Sequence, residues 1–178
     1  MKKIIVSITS FFVAFISVNA QTPSAVFVTF TDNKPYTARQ ITRSATDIKV
    51  EFVHSHSLYK FNNQGFILNS NGAYPVGTRV SSIGYRDFIK TITNEPSMEP
   101  YQKMFVGIRF SDNQIYFGQI EIAATNDIQV FFTHSMSEYI FGRENGVWLV
   151  HRIKGGTYKE NDKLLDIYLL GELYSFYQ

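Results

Sequence analysis

His54-Ser55-His56 and His134-Ser135-Met136 are the two places where this chain concentrates side chains able to do chemistry. Two histidines at i and i+2 on a strand project from one face, close enough to share a metal ion through imidazole nitrogens. Imidazole with thioether, as His134 and Met136 would offer, suits copper better than zinc. His54, His56, His134 and Met136 are therefore the candidate metal ligands, with copper or zinc as the only cofactors to consider. The alternative is that His54 and His134 simply end a strand and hydrogen-bond neighbouring hydroxyls, with no cofactor at all. Ser55, Ser57, Ser135 and Ser137 beside these histidines raise the thought of a hydrolase. A nucleophilic serine, however, needs a base, an orienting acid and an oxyanion hole. Adjacent residues on a strand point to opposite faces, so His54 is badly placed to activate Ser55, and no Gly-x-Ser-x-Gly motif occurs. No catalytic residue is assigned. With no cysteine, thiolate nucleophiles, thiolate zinc sites and iron–sulfur clusters are excluded, and stability rests on packing rather than disulfides.

Both clusters belong to one unit written twice. Residues 26–61 laid over 106–141, at a constant offset of 80, agree at 14 of 36 positions, where chance would give about two. Asp32-Asn33 and Tyr36 recur as Asp112-Asn113 and Tyr116, and His54-Ser55-x-Ser57-x-Tyr59-x-Phe61 recurs as His134-Ser135-x-Ser137-x-Tyr139-x-Phe141. Pairing Gln40-Ile41 with Gln119-Ile120 improves the local match, a slip that a β-bulge would absorb. Tyr74 to Ile83 can be laid over Tyr158 to Ile167. Catalysis needs one site, whereas folding needs the same residues in both copies, so the duplication favours a structural role for the shared positions.

The periodicity within each unit is two. Ile48, Val50, Phe52 and His54 share one face, Lys49 and Glu51 the other, and Ile128 to His134 repeat the pattern. The apolar parity flips before Tyr59, which calls for a turn or bulge at Ser55–Ser57. Strands are expected over 25–30, 36–44, 48–54 and 58–61, over their counterparts 80 residues on, and over 66–69 and 147–153. The run 164–177 reads as a strand pair around Gly171-Glu172. Asp32-Asn33 and Asp112-Asn113 could offer oxygens to calcium, but a tight turn explains them without an ion. This predicts an all-β protein of two homologous β-meander repeats, forming tandem small barrels or one closed barrel or sandwich. Its divisions would be a signal peptide over 1–20, repeat one over 21–92, a linker over 93–103 marked by Pro96 and Pro100, and repeat two over 104–178.

Each copy resembles Tudor-like or agenet-like modules along Tyr36-Thr37-Ala38-Arg39-Gln40-Ile41 with Ile48-Lys49-Val50-Glu51-Phe52, and along Tyr116-Phe117-Gly118-Gln119-Ile120 with Ile128-Gln129-Val130-Phe131-Phe132. The resemblance implies a small SH3-like barrel. Those families bind peptides through an aromatic cage, and no cage residue is carried over here.

Lys2 and Lys3, the apolar run 4–16 and Val18-Asn19-Ala20 together read as a cleavable export leader of bacterial type. Thirteen helical residues at ~1.5 Å each are too short for a ~30 Å hydrocarbon core, so no membrane span is expected after cleavage, and the product should be periplasmic or secreted. The formal charge of +2 comes from the leader, and the rest carries 15 basic and 15 acidic residues. That balance leaves no basic surplus for nucleic acid. The expected function is a non-catalytic binding or interaction module for a protein or glycan ligand, with metal handling second and an unrecognised hydrolase third. Tyr59, Phe131, Tyr139 and Trp148 are the aromatics expected to face a ligand.

Overall fold

Apolar alternation does most of the construction. The computed structural model describes residues 24–178, so the expected leader over 1–20 lies outside the described residues. In Asp47–Phe52 (β3), Ile48, Val50 and Phe52 are buried, and in Asp127–Phe132 (β9) Ile128, Val130 and Phe132 take the same places. Each strand sits between Pro35–Arg43 (β2) and Leu58–Asn62 (β4) in the first half, or between Ile115–Ala123 (β8) and Ser137–Glu144 (β10) in the second. Ser24–Thr29 (β1) and Phe105–Phe110 (β7) open the two meanders, and Ile67–Ser70 (β5) and Val147–Lys154 (β11) close them.

The register repeats as faithfully as the sequence. Val26 pairs with Ala38 and Val106 with Gly118; Val28 pairs with Tyr36 and Ile108 with Tyr116. The expected slip is not needed. Ile41 and Glu121 bulge out at equivalent places, so the offset of 80 runs unbroken through both strands. Strand β3 ends at Phe52, not at His54. The parity change before Tyr59 is made by a tight turn in which the Ser57 carbonyl accepts the Phe52 N–H and the Phe52 carbonyl accepts that of His56. His56 and its counterpart Met136 both adopt φ of 53° there, a left-handed conformation that removes them from the strand face.

The second half closes on itself. Lys163–Leu170 (β12) pairs with β7 on one side and with β11 on the other, which completes a six-stranded barrel β7–β8–β9–β10–β11–β12. The first half is joined differently. Ser82–Thr91 (β6) lies beside β1. The β5 end is tied to the chain before β6 by a bridge between Phe66 and Arg79, by the Ile67 N–H to the Thr78 carbonyl and by the Val80 N–H to the Gly65 carbonyl. The free edge of β6 is covered by Tyr174–Tyr177 (β13), the last strand of the chain. Strand β6 then continues past Asp87 to pair with β12 in the second half. The C-terminal run is thus two strands, as expected, but they do not form a hairpin: both pair with β6, at different ends of it. Each half contributes a strand to the other.

The segment expected as a linker, 93–103, is mostly exposed but sends Thr93, Met98 and Tyr101 inward. Ile92, Met98 and Tyr101 are buried in the second core, Glu99–Tyr101 forms a 3-10 turn, and the Trp148 indole N–H donates to the Thr93 carbonyl at 2.8 Å. A third apolar cluster holds the halves together through Ala25, Val53, Phe117 and Leu170, with Phe27 and Phe105 packed on it. Offset partners explain which residues diverged. Phe27 and Phe117, whose rings meet edge-on at 6.4 Å, stand opposite Gly107 and Thr37 in the repeat comparison. Identical positions fill the two cores, while several that differ build the contact between them.

Candidate functional site

The repeated residues outline a cleft in each half. Phe30 stacks on Tyr74 with centroids 3.8 Å apart, and Phe110 stacks on Tyr158 at 3.7 Å. The Tyr74 N–H donates to the Tyr59 hydroxyl at 3.1 Å, and the Tyr158 N–H to that of Tyr139 at 3.2 Å. These bonds pin a returning loop over the aromatic cluster. Gly72 and Gly156 permit the close approach, since a Cβ at either would overlap the Tyr59 or Tyr139 ring. Below each loop lies a cavity, 420 Å3 in the first half and 340 Å3 in the second. Phe30, Tyr36, Phe52, Tyr59 and Tyr74 wall the first; Phe110, Tyr116, Phe132, Tyr139 and Tyr158 wall the second.

The two cavities meet at the paired histidines. His54 and His134 stack with centroids 4.3 Å apart and planes 22° from parallel, and both line both cavities. Each ring also crosses to the other half: His54 lies 5.8 Å from Tyr116, and His134 lies 5.8 Å from Tyr36. The shared histidines thus face each other across the two halves. They form a common wall between two aromatic clefts related by the internal duplication.

Polar groups around the clefts are held in defined states. The Tyr36 hydroxyl donates to Asp32 at 2.8 Å, and the Tyr158 hydroxyl to Asp112 at 2.6 Å. The hydrogen bond to Asp32 drives the Tyr36 pKa upward, and burial, followed by the Asp112 bond, does so for Tyr158, so both remain donors. Asp32 is held below its ordinary value by the Lys34 N–H and then the Tyr36 hydroxyl. The Asp-Asn turns thus position tyrosines. Ser55 and Ser57 hydroxyls bond each other, as do Ser135 and Ser137 at 2.5 Å, and Ser137 is buried. Among the described residues no histidine nitrogen is hydrogen-bonded to a serine hydroxyl.

His54 is held below its ordinary pKa by desolvation first, then by His134 and His56. The folded chain therefore takes up this proton less readily than the unfolded chain. As pH falls through the unfolded value of 6.5, the unfolded state binds the proton first and folding loses stability; above that value the penalty vanishes. The urea midpoint is expected to drop between about pH 7.5 and about pH 5.5, and to drop less in a His54→Gln variant. Equal drops in the two proteins would remove His54 from this role.

Several expected site residues are rearranged. His54 and His134 come together, but His56 turns away to pair with Glu51 at 3.1 Å, and Met136 is 70% exposed. The turn that ends β3 separates His54 from His56, so the four proposed metal ligands are not assembled around one point. Among the described residues no group of three or more histidine, cysteine or carboxylate side chains converges. Tyr59 and Tyr139 line the clefts, yet as buried walls rather than surface rings, because the parity flip turns them inward. Trp148 is interior for another reason: it fills the second core beside the segment expected to be a linker. Phe131 is half-buried on the outer side of β9, where its neighbours Val130 and Phe132 face inward. Sequence reasoning missed Phe30, Tyr36 and their counterparts as site residues. Their identity in both copies was the available signal. No family model, curated protein or solved structure matches the chain.

Proposed function

We propose that the protein is a non-catalytic binding module that accepts apolar side chains of a protein partner in its paired aromatic clefts. The observation that carries this is the meeting of two equivalent concave clefts at the His54–His134 stack. Cavities of this size, with aromatic walls and a few fixed hydroxyls, suit side-chain anchors of a peptide. A flat, exposed ring platform for a sugar is not what Phe30 and Tyr74 present, since they stack on each other. The leader composition of residues 1–20 supports a site of action outside the cytoplasm. Two clefts with one shared wall favour a ligand bearing two anchors on one short segment.

Panning a library of random linear peptides against the immobilised protein tests this. Recovered peptides should share two apolar anchors, and Tyr36→Ala and Tyr116→Ala should each weaken them about tenfold or more. Binding to a glycan array that depends on the same tyrosines, with no tyrosine-dependent peptide recovered, would transfer the site to a sugar.

A further inference from the structure

A third cleft, of 530 Å3, opens between the two halves. Its apolar walls include Phe27, Phe105, Phe117, Leu173 and Tyr177, contributed by both repeats and by the C-terminal strand. Among the described residues Arg86 is the only lysine, arginine, aspartate or glutamate that lines it, with His134 and the terminal Gln178 also on its rim. The Arg86 guanidinium lies 3.8 Å from the centroid of the Phe105 ring and donates one hydrogen bond, to the Gly171 carbonyl at 2.8 Å. No carboxylate among the described residues forms an ion pair with it. The arginines that do pair with a carboxylate, Arg39, Arg43 and Arg109, sit outside this cleft.

A guanidinium carries five N–H donors in a planar fork that matches a carboxylate. Arg86 uses one of them in the hydrogen bond to Gly171 and is half-buried among the apolar walls of the cleft. Burial pulls its pKa below the ordinary arginine value, a sign that the charge lacks compensation. An anion brought there gains charge-assisted hydrogen bonds in a medium where they are stronger than in water. The walls would meanwhile cover an apolar body, as small-molecule sites do at this volume.

We propose that this inter-repeat cleft binds a small amphipathic monocarboxylate, with its carboxylate on Arg86 and its apolar body against Phe27, Phe117 and Leu173. Charge complementarity selects the occupant: Arg86, with no carboxylate among the described residues ion-paired to it and with Phe27, Phe105, Phe117 and Leu173 on the same cleft, calls for a negative charge on an apolar molecule. The site shares Thr37, Phe117 and His134 with the paired clefts as common walls, but Arg86, Leu173 and Tyr177 line neither of them. It stands or falls independently of the peptide-binding proposal.

Calorimetric titration with decanoate, decanol and decylammonium tests it on the full chain. Decanoate should bind at one site, decanol at least tenfold more weakly, and decylammonium not measurably. Arg86→Gln should weaken decanoate at least tenfold, while Arg86→Lys should retain part of the affinity. Equal binding of the three probes, no decanoate binding, or unchanged binding in a folded Arg86→Gln variant would each overturn the proposal. Should Arg86→Gln fail to fold, the ranking of the three probes on the natural protein decides.

Discussion

Replacing Trp148 by alanine is expected to cost about 4 kcal/mol of folding stability, read from urea unfolding. Trp148 is 1% exposed, the bulkiest of the fully buried side chains, and packs in the same core as Ile92, Met98 and Tyr101. Truncation would empty a large volume in the second core, and paired barrel strands collapse poorly to fill it. It would also orphan the Thr93 carbonyl, which accepts the indole N–H at 2.8 Å. Trp148→Phe separates the two effects. It keeps most of the ring volume but not the donor, and should cost less, about 1–3 kcal/mol. Equal losses for the two variants would place the hydrogen bond, not the packing, at the centre of this core.

The second large effect concerns the exchanged strand. Removing residues 172–178 should destabilise the protein by roughly 3 kcal/mol or more, with the loss concentrated in the first half. Strand β13 covers the edge of β6 and brings Phe176 and Tyr177 against the first core. Gly65, at φ of 80°, leaves the space the Tyr177 ring occupies, and the Arg79 guanidinium lies 5.3 Å from that ring. The second barrel keeps all six of its strands in the truncated chain. Amide hydrogen exchange should therefore show β1, β3 and β4 losing more protection than β8, β9 and β10. Uniform loss along the chain would mean that the halves unfold as one unit whatever strand is removed.

Much of this architecture was readable from residue order alone, for definable reasons. The duplication and the period-two pattern of Ile48, Val50 and Phe52 specify strands because one face of each must be buried, and a one-residue shift would expose all three. The turn at residues 53–57 was legible from the parity of Tyr59 and Phe61. What was not legible depends on contacts between copies. Nothing local marks β13 as a partner of β6, since Gly171-Glu172 suggests a hairpin as readily as an exchange. Pro96 and Pro100 look like linker residues, yet Thr93 and Met98 are drawn into a core by Trp148, 55 residues away from Thr93 in sequence. The candidate site was half visible. His54 and His134 stood out, but a strand reading paired His54 with His56, two residues away, instead of with its own copy 80 residues away. Only the packing of one repeat on the other, through Phe27 and Phe117, brings those rings together.

That juxtaposition is the claim on which the functional account turns, and ring-proton NOEs measure it directly. The chain holds four histidines, so their imidazole resonances can be assigned by single substitutions. Stacking at a centroid distance of 4.3 Å predicts NOEs between the His54 and His134 ring protons, and from each ring to the tyrosine of the opposite repeat. Assigned spectra with NOEs inside each half but none between these two rings would contradict it.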